Sequence, residues 1–559
     1  MSDKPWLKSY DEGVPHSLEP YPDKTLVDMV KETAKERPDH TAFIFKGNKI
    51  SCREFDRLSN DFAQGLISLG VKKGDRVAIL LPNCPQTMIA QFGAWKAGAI
   101  AAMMNPLYTV DELEELIKEC GAEIVVVLTP FYKNLKSIQA NCGIKKIIAT
   151  NIKEFLPPLL RVLFTLAKEK KEGHRITLSD DDIWFKDLLQ KHQNTGRPDV
   201  IIEPDDPALL LFTGGTTGTP KGAIGTHRGI FIAACQLDAW FGEVLVEWQD
   251  PHVGTFPLFH VAGNVAIMGK CILGRHPLIL IPNPREIDDL VKTVKKYKPG
   301  LLPGVPTIFN ALLGHKDVQS GKVDFTSIKV CISGAAPLMA ETKKRFDAVT
   351  GGSMVEGYAL TESMMAGVFV PVNGKYKEGS VGLPLPDVDL RIVDVETGKS
   401  NKPTGEVGEI LIKAKQLMQG YWNQPEETAE TIIDGWLYTG DMGYLDEDGY
   451  LFIVDRKKDL IKPSGFQVWP REVEEVIASH PAVVEVGVAG IPDEYQGESV
   501  KAWIVIRENQ SVTKEDILNH CKDSLAKYKI PKYVEFRDTL PKTTVGKVLR
   551  RELAKENQA

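Results

Sequence analysis

Phe212-Thr-Gly-Gly-Thr-Thr-Gly-Thr-Pro-Lys-Gly222 follows directly on the apolar run Ala208-Leu-Leu-Leu-Phe212 and packs four glycines, four threonines and one lysine into eleven residues. A short apolar run bounded by turn residues reads as a buried strand, so the glycines begin where a strand ends. Glycine lets backbone N–H groups come close to an anion, hydroxyls add donors and Lys221 adds charge, so the stretch reads as a polyphosphate cradle. It is not a Walker loop, which needs G-x-x-x-x-G-K-[ST]; here Lys221 follows Pro220 and precedes Gly222.

The flanking sequence continues the alternation of an α/β fold. Upstream, Leu26 to Glu36 has helical spacing, Arg76 to Leu81 and Glu123 to Leu128 are strand-like, and Asp111 to Cys120 supplies a helix between them. Downstream, a second α/β region runs from about Asp206 to Pro371, with Lys329 to Ser333 as a strand. Val388 to Val393 and Gly408 to Lys413 then read as a small β unit. The last hundred or so residues read as alternating strand and helix with a lysine-rich tail. The charged run Asp455-Arg-Lys-Lys-Asp459 is the boundary candidate, which gives a body over 1–455 and a small α+β domain over 456–559.

Composition narrows the class. Of 559 residues, 43% are apolar and 26% charged, which is ordinary globular usage. A balance of 68 basic against 75 acidic residues, net -7, argues against nucleic-acid binding through an overall basic field. The eight cysteines contain no C-x-x-C pair, which reads as reduced thiols in a cytoplasmic protein. No apolar run reaches the roughly 18 residues of a membrane span. Residues 155–171 join an apolar helical face to a basic end at Lys168, Lys170, Lys171 and Arg175. That pattern suits either a peripheral helix on the inner membrane face or an ordinary helix packed on the domain.

Further segments extend the phosphate reading. Ser333-Gly-Ala-Ala-Pro337 and Gly357-Tyr-Ala-Leu-Thr-Glu362 combine small residues, an aromatic ring able to stack on a base and a hard carboxylate. Asp434-Gly-Trp-Leu-Tyr-Thr-Gly-Asp441 ends in an aspartate able to accept from two neighbouring hydroxyls. With Asp455 to Lys462, Ser464-Gly465 and Leu540-Pro-Lys-Thr-Thr-Val-Gly-Lys-Val-Leu-Arg550, these resemble, in order, the motifs of the adenylate-forming enzymes. That superfamily comprises acyl-CoA synthetases, luciferases and peptide-synthetase adenylation domains, and the run from Asp434 to Lys462 is most similar to bacterial long-chain fatty acid–CoA ligases.

The resemblance implies an assignment for each motif. Thr213, Gly214, Gly215, Thr216, Thr217, Gly218 and Lys221 hold ATP phosphates, and Gly334, Ala335, Ala336, Pro337, Gly357 and Tyr358 the adenine. Thr361 touches the α-phosphate, Glu362 with Thr213 binds Mg²⁺, and Asp441 and Arg456 hold the ribose. Lys547 is the catalytic lysine of adenylate formation. Lys462 serves the second half-reaction, Gly465 lies where CoA passes the backbone, and Lys458 is the hinge of a mobile C-terminal domain. His260, in Phe256-Pro-Leu-Phe-His260, belongs to the acyl pocket, with packing or gating favoured over proton transfer. Some long-chain relatives carry a tryptophan where this chain has Asn264. The implied reaction joins a carboxylic acid to CoA through acyl-AMP, with ATP and Mg²⁺, and a long-chain fatty acid as the expected substrate. Medium-chain or aryl acid ligation stays open beside it, as do a luciferase-like oxygenase and a non-catalytic sensor, although Lys547 is present.

Overall fold

The computed structural model describes residues 4–213, 220–334, 338, 340–395, 397–507, 510–543 and 547–556. Local sequence starts and stops several helices as the residue types dictate. Leu26–Glu36 begins at Thr25, whose hydroxyl accepts from Asp28 N while the Asp28 carboxylate bonds back to Thr25 N. Val110–Cys120 begins with the same reciprocal pair, Thr109 and Glu112, and ends at Gly121 with φ +63°. Such caps contribute about 1 kcal/mol each, and the left-handed C-cap favours glycine.

Two large sheets build the body. In the first, strands lie side by side in the order Ile183–Trp184, Lys146–Thr150, Ile124–Leu128, Arg76–Leu80, Ile100–Met103, Pro207–Phe212 and Gly222–Thr226, all parallel except the last pair. The second has a parallel centre, His252–Gly254, Leu301–Gly304, Val330–Ser333 and Ser353–Tyr358. Antiparallel pairing through Val368–Phe369 and Ser380–Pro384 carries it into Leu451–Arg456, Trp436–Leu445, Gly408–Lys413 and Asp389–Val393. Strands covered on both faces read as continuous apolar runs, and Ile124–Leu128 is buried at every position.

Sequence order divides these sheets wrongly. The Asp206 boundary does not separate two units, because Pro207–Phe212 pairs with Ile100–Met103 and completes the first sheet. Conversely, Thr41–Phe45, from the first hundred residues, pairs with Leu278–Leu280 in the second. The small β unit exists, but it continues the second sheet.

Beyond Arg456, Val483–Asp493 and Gly497–Ile506 form an antiparallel hairpin with Tyr533–Phe536 parallel beside it. Pro470–Ala478, Lys514–Lys522 and Arg550–Lys555 are the accompanying helices. Its own apolar cluster includes Ile461, Val473, Val500, Ile504 and Ile517, as an α+β unit requires.

The helix in the 155–171 stretch spans Pro158–Ala167 and buries none of its residues. Leu159 is 71% exposed, Val162 56%, Leu163 51% and Leu166 80%, so the leucine-rich side of the helix faces away from the body while Phe164 packs against it. Phe164, edge-on to His174 with centroids 5.2 Å apart, anchors its inner side. The following turn is tied down by Lys153–Glu169 at 2.6 Å and by Thr129 Oγ1 to His174 Nδ1 at 2.8 Å.

Candidate active site

The glycine-rich stretch joins two antiparallel strands that pair Phe212 with Gly222. Thr213 N donates to Lys221 O at 2.9 Å and Lys221 N donates to Thr213 Oγ1 at 3.3 Å, closing the loop at its base. Gly214, Gly215, Thr216, Thr217 and Gly218 fall outside the described residues, as do Ala335, Ala336 and Pro337. The Lys221 ammonium pairs with Glu427 and lies 5.2 Å from the Tyr421 ring centroid. Tyr421 also donates its hydroxyl to Glu362 Oε1 at 2.8 Å. Sequence reasoning missed Tyr421 and Glu427: a tyrosine after Gly420 and a glutamate on a short polar helix carry no local mark of their own.

The continuity of the second sheet assembles the next group. Tyr358 ends one strand, while Asp441 and Arg456 face each other across an antiparallel pair. Tyr358 donates its hydroxyl to Asp441 Oδ2 at 2.7 Å, Arg456 Nε forms an ion pair with Asp441 Oδ1 at 3.0 Å, and Asp441 N donates to Thr439 Oγ1 at 3.0 Å. Burial and the Asp441 carboxylate push the Tyr358 phenol well up, so it stays a donor. Asp441 keeps lone pairs on both oxygens beyond these bonds. Gly357 is glycine for a packing reason, since a Cβ there would lie 2.4 Å from the Phe369 ring. At Gly334 a Cβ would come no nearer than 3.6 Å to protein, leaving room beside the strand end. Ala359 is not at a positive φ, so the backbone there does not call for glycine.

Gly357, Tyr358, Asp441 and Arg456 line one cavity of about 2080 Å³ with Thr213, Lys221, Thr361, Glu362, Lys458 and Lys547. A single drug-sized ligand occupies up to about 1,000 Å³, so two substrates fit together. Lys547 is open to the cavity, yet protein crowds round it. Burial, then Arg456 and Arg550 outweigh Asp441 and Asp459 and bring its ammonium down to about 8. Arg550, which the motif reading did not single out, lies beside it.

His260 is at the same cavity, and its Nδ1 accepts from Ala262 N at 3.3 Å. Burial lowers its pKa to about 4, so it is neutral near pH 7. Met103, Leu107, Phe259, Val261 and Val305 add apolar wall on that side. At the Asn264 position the amide exchanges hydrogen bonds of 2.8 and 2.9 Å with Gln91.

Two motif residues do not join the site in this orientation. Lys462 is exposed and outside the cavity lining, and its backbone N–H donates to Glu498 Oε2 at 2.6 Å. Gly465 is also exposed, with φ +83° and nothing within 4 Å of where a Cβ would stand. Its backbone favours glycine, but no close approach demands it here.

The Thr213 hydroxyl and the Glu362 carboxylate are hard oxygen donors, and no group of three or more His, Cys, Asp or Glu side chains among the described residues could cage a metal. One carboxylate plus substrate phosphates is a usual way to hold Mg²⁺, and the residues fit that ion.

Profiles of known families match the chain as an AMP-binding enzyme over residues 30–422 and as an AMP-binding enzyme C-terminal domain over 472–547. The long-chain-fatty-acid–CoA ligase of Bacillus subtilis (strain 168) is 40% identical over 557 residues, covering 100% of this chain and 98% of that one. The enzyme of the same name from Yersinia pestis is 38% identical over 566 residues, with 99% and 98% covered. Among solved structures, an anthranilate CoA ligase in complex with anthranoyl-AMP superposes with a TM-score of 0.83 at 27% identity, covering 96% and 98%.

Proposed function

Because the chain belongs to the AMP-binding enzymes, we propose that it activates a long-chain fatty acid to acyl-AMP and transfers the acyl group to CoA. The single observation that carries this is the convergence of Glu362, Asp441, Arg456 and Lys547, from widely separated stretches, on one cavity with an apolar wall. The full-length relatives named long-chain-fatty-acid–CoA ligases support the acyl class.

In the first step a carboxylate oxygen attacks the α-phosphorus of ATP and the bond to pyrophosphate breaks. In the second the CoA sulfur attacks the acyl carbonyl, AMP leaves with the bonding electrons and the thiol proton passes to solvent. No protein nucleophile is needed, so positioning and charge carry the catalysis. Thr213, Lys221 and Thr361 hold phosphate oxygens, Tyr358 and Gly334 flank the base, and Asp441 accepts from the ribose hydroxyls with Arg456 orienting it. Glu362 and Thr213 hold Mg²⁺, which when bound neutralises phosphate charge. Lys547 stands between carboxylate and α-phosphate, where negative charges are driven together, so its ammonium favours the transition state over the ground state. Neutral His260 packs against the acyl chain.

The body, 1–455, and the small domain, 456–559, meet at the hinge Lys458. With Lys547 inside and Lys462 and Gly465 outside, the orientation suits adenylate formation, and rotation would exchange the two sets for thioester formation. CoA-dependent AMP release with acids from acetate to stearate, alongside benzoates, tests the substrate class. Activity peaking on the long alkyl chains is expected; activity confined to the aromatic set would favour aryl ligation, which the anthranilate CoA ligase likeness keeps in view.

No helix among the described residues is long and apolar enough to cross a membrane. The helix Pro158–Ala167 supports peripheral attachment of a cytoplasmic protein to an anionic bilayer. Its bare leucines are flanked by exposed Arg161, Lys168, Lys170, Lys171 and Arg175, and Lys296 lies close to the Gly47 turn that meets Pro157. Apolar insertion with a cationic rim suits anionic headgroups. Because Glu169 and His174 hold the turn to the body, point substitution is a cleaner test than deletion. Leu159→Ser with Leu163→Ser and Leu166→Ser should abolish co-sedimentation with phosphatidylglycerol vesicles and spare turnover of soluble acids. Unchanged sedimentation would refute the attachment.

A further inference from the structure

Arg550 opens the helix Arg550–Lys555, three residues beyond Lys547. Its guanidinium is shared by carboxylates from three elements. Arg550 Nη1 donates to Asp455 Oδ1 at 2.6 Å and to Asp459 Oδ2 at 3.2 Å, while Nε and Nη2 take the two oxygens of Glu474 at 2.9 and 2.5 Å. The cluster is withdrawn from water, the Asp455 side chain being 3% exposed and that of Arg550 19%. Asp455 belongs to the last strand of the body, Leu451–Arg456, and also accepts from Arg456 N at 2.7 Å and Arg471 N at 2.6 Å. Glu474 belongs to the helix Pro470–Ala478 of the small domain.

Lys547 and Arg550 belong to one backbone-bonded segment of the small domain: Thr543 N donates to Lys547 O at 2.8 Å and Leu549 N to Pro541 O at 2.9 Å, so whatever fixes the orientation of the domain through Arg550 also fixes where Lys547 is presented. The bidentate pair with Glu474 lies within the small domain and travels with it. The bond to Asp455 crosses to the body.

We propose that Arg550 is a positioning residue that latches the small domain in the orientation presenting Lys547 to the cavity, the bond to Asp455 being the part that is released on rotation. The proposal rests on the two-orientation reading above. A buried, hydrogen-bonded charge pair resists truncation strongly enough to change an equilibrium by about thirtyfold or more, so breaking this one empties the latched state while leaving the alternative orientation untouched.

Asp455→Asn removes the charge, its single carbonyl oxygen keeping one of the two backbone donors that Asp455 takes on separate oxygens, Arg456 N on Oδ1 and Arg471 N on Oδ2, and Arg550→Ala tests the bond from the other side. Acyl-adenylate formation, followed by pyrophosphate exchange, is expected to fall about tenfold or more in both. Thioester formation from supplied acyl-adenylate and CoA should stay level or rise, Arg550→Lys should recover part of the loss, and the double variant should lose little beyond either single one. Equal losses in both half-reactions would make Arg550 merely structural, and unchanged adenylate formation would remove the latch. Lys547→Ala, run in parallel, separates the two ideas. If it too spares adenylate formation, the two-orientation reading falls; if it abolishes that step while the latch variants run at full rate, the latch alone falls.

Discussion

Lys547→Ala is expected to slow acyl-adenylate formation by about a thousandfold and to leave thioester formation from supplied acyl-adenylate near the rate of the unaltered protein. The expected loss is large because, in the proposed role, the ammonium acts where charge accumulates, between an attacking carboxylate and a phosphate that already carries negative charge, in the cavity that Lys547 lines. The second step has a neutral thioester as product and AMP as leaving group, and in the proposed two-orientation cycle the small domain has by then turned Lys547 away. Measuring the two half-reactions separately checks this, and loss of both alike would defeat it. A pH signature accompanies the effect. With its pKa lowered to about 8, Lys547 of the ligand-free protein is charged below that pH and loses its proton above it. The kcat/KM of adenylate formation, which reports the free enzyme, should therefore decline as pH rises through about 8. In Lys547→Arg the remaining activity should show no such decline, because guanidinium stays protonated. His260, with its pKa near 4, contributes no step in that range.

Asp441→Ala should raise the KM for ATP by about a hundredfold or more, with a smaller fall in kcat. Two hydrogen bonds from ribose hydroxyls to a carboxylate together contribute about 3 kcal/mol or more. The substitution also strips the acceptor from Tyr358 and Arg456, which hold the carboxylate at 2.7 and 3.0 Å. Asp441→Asn should rescue only in part: its NH₂ can donate to the Tyr358 phenol oxygen, but the charge that pairs with Arg456 and one of the two acceptor oxygens are lost. Steady-state kinetics against ATP at saturating acid and CoA checks it; an unchanged KM for ATP would place the ribose elsewhere.

The residues around the cavity differ in how they could be found. Asp441 and Lys547 stand inside motifs whose spacing is legible by itself. Tyr421, which bonds Glu362, and Arg550, which bonds Asp455, Asp459 and Glu474, have partners between 59 and 95 positions away. Nothing near either residue in the chain announces those partners. Gly357 is a milder case: it sits in an adenine motif, yet the neighbour that forbids a side chain is Phe369.

Short-range chemistry was enough for the sequence to determine which segments become strands and helices. Apolar runs bury on both faces, and caps such as Thr25 with Asp28 satisfy a helix start from within four residues. The motifs proposed for phosphate, ribose and the lysine were legible at the same level, because the residue types and their spacing lie together in the chain. Strand partnership was not. Thr41–Phe45 leaves its neighbours in sequence for Leu278–Leu280, and Pro207–Phe212 crosses back to Ile100–Met103. A backbone edge offers the same hydrogen bonds to any strand, and only complementary packing of distant faces selects one. The tertiary structure likewise decided that the helix Pro158–Ala167 stays bare and that Lys547, not Lys462, lines the cavity. An apolar stripe does not say whether a surface lies opposite it, and a hinge does not say which way its domain has turned.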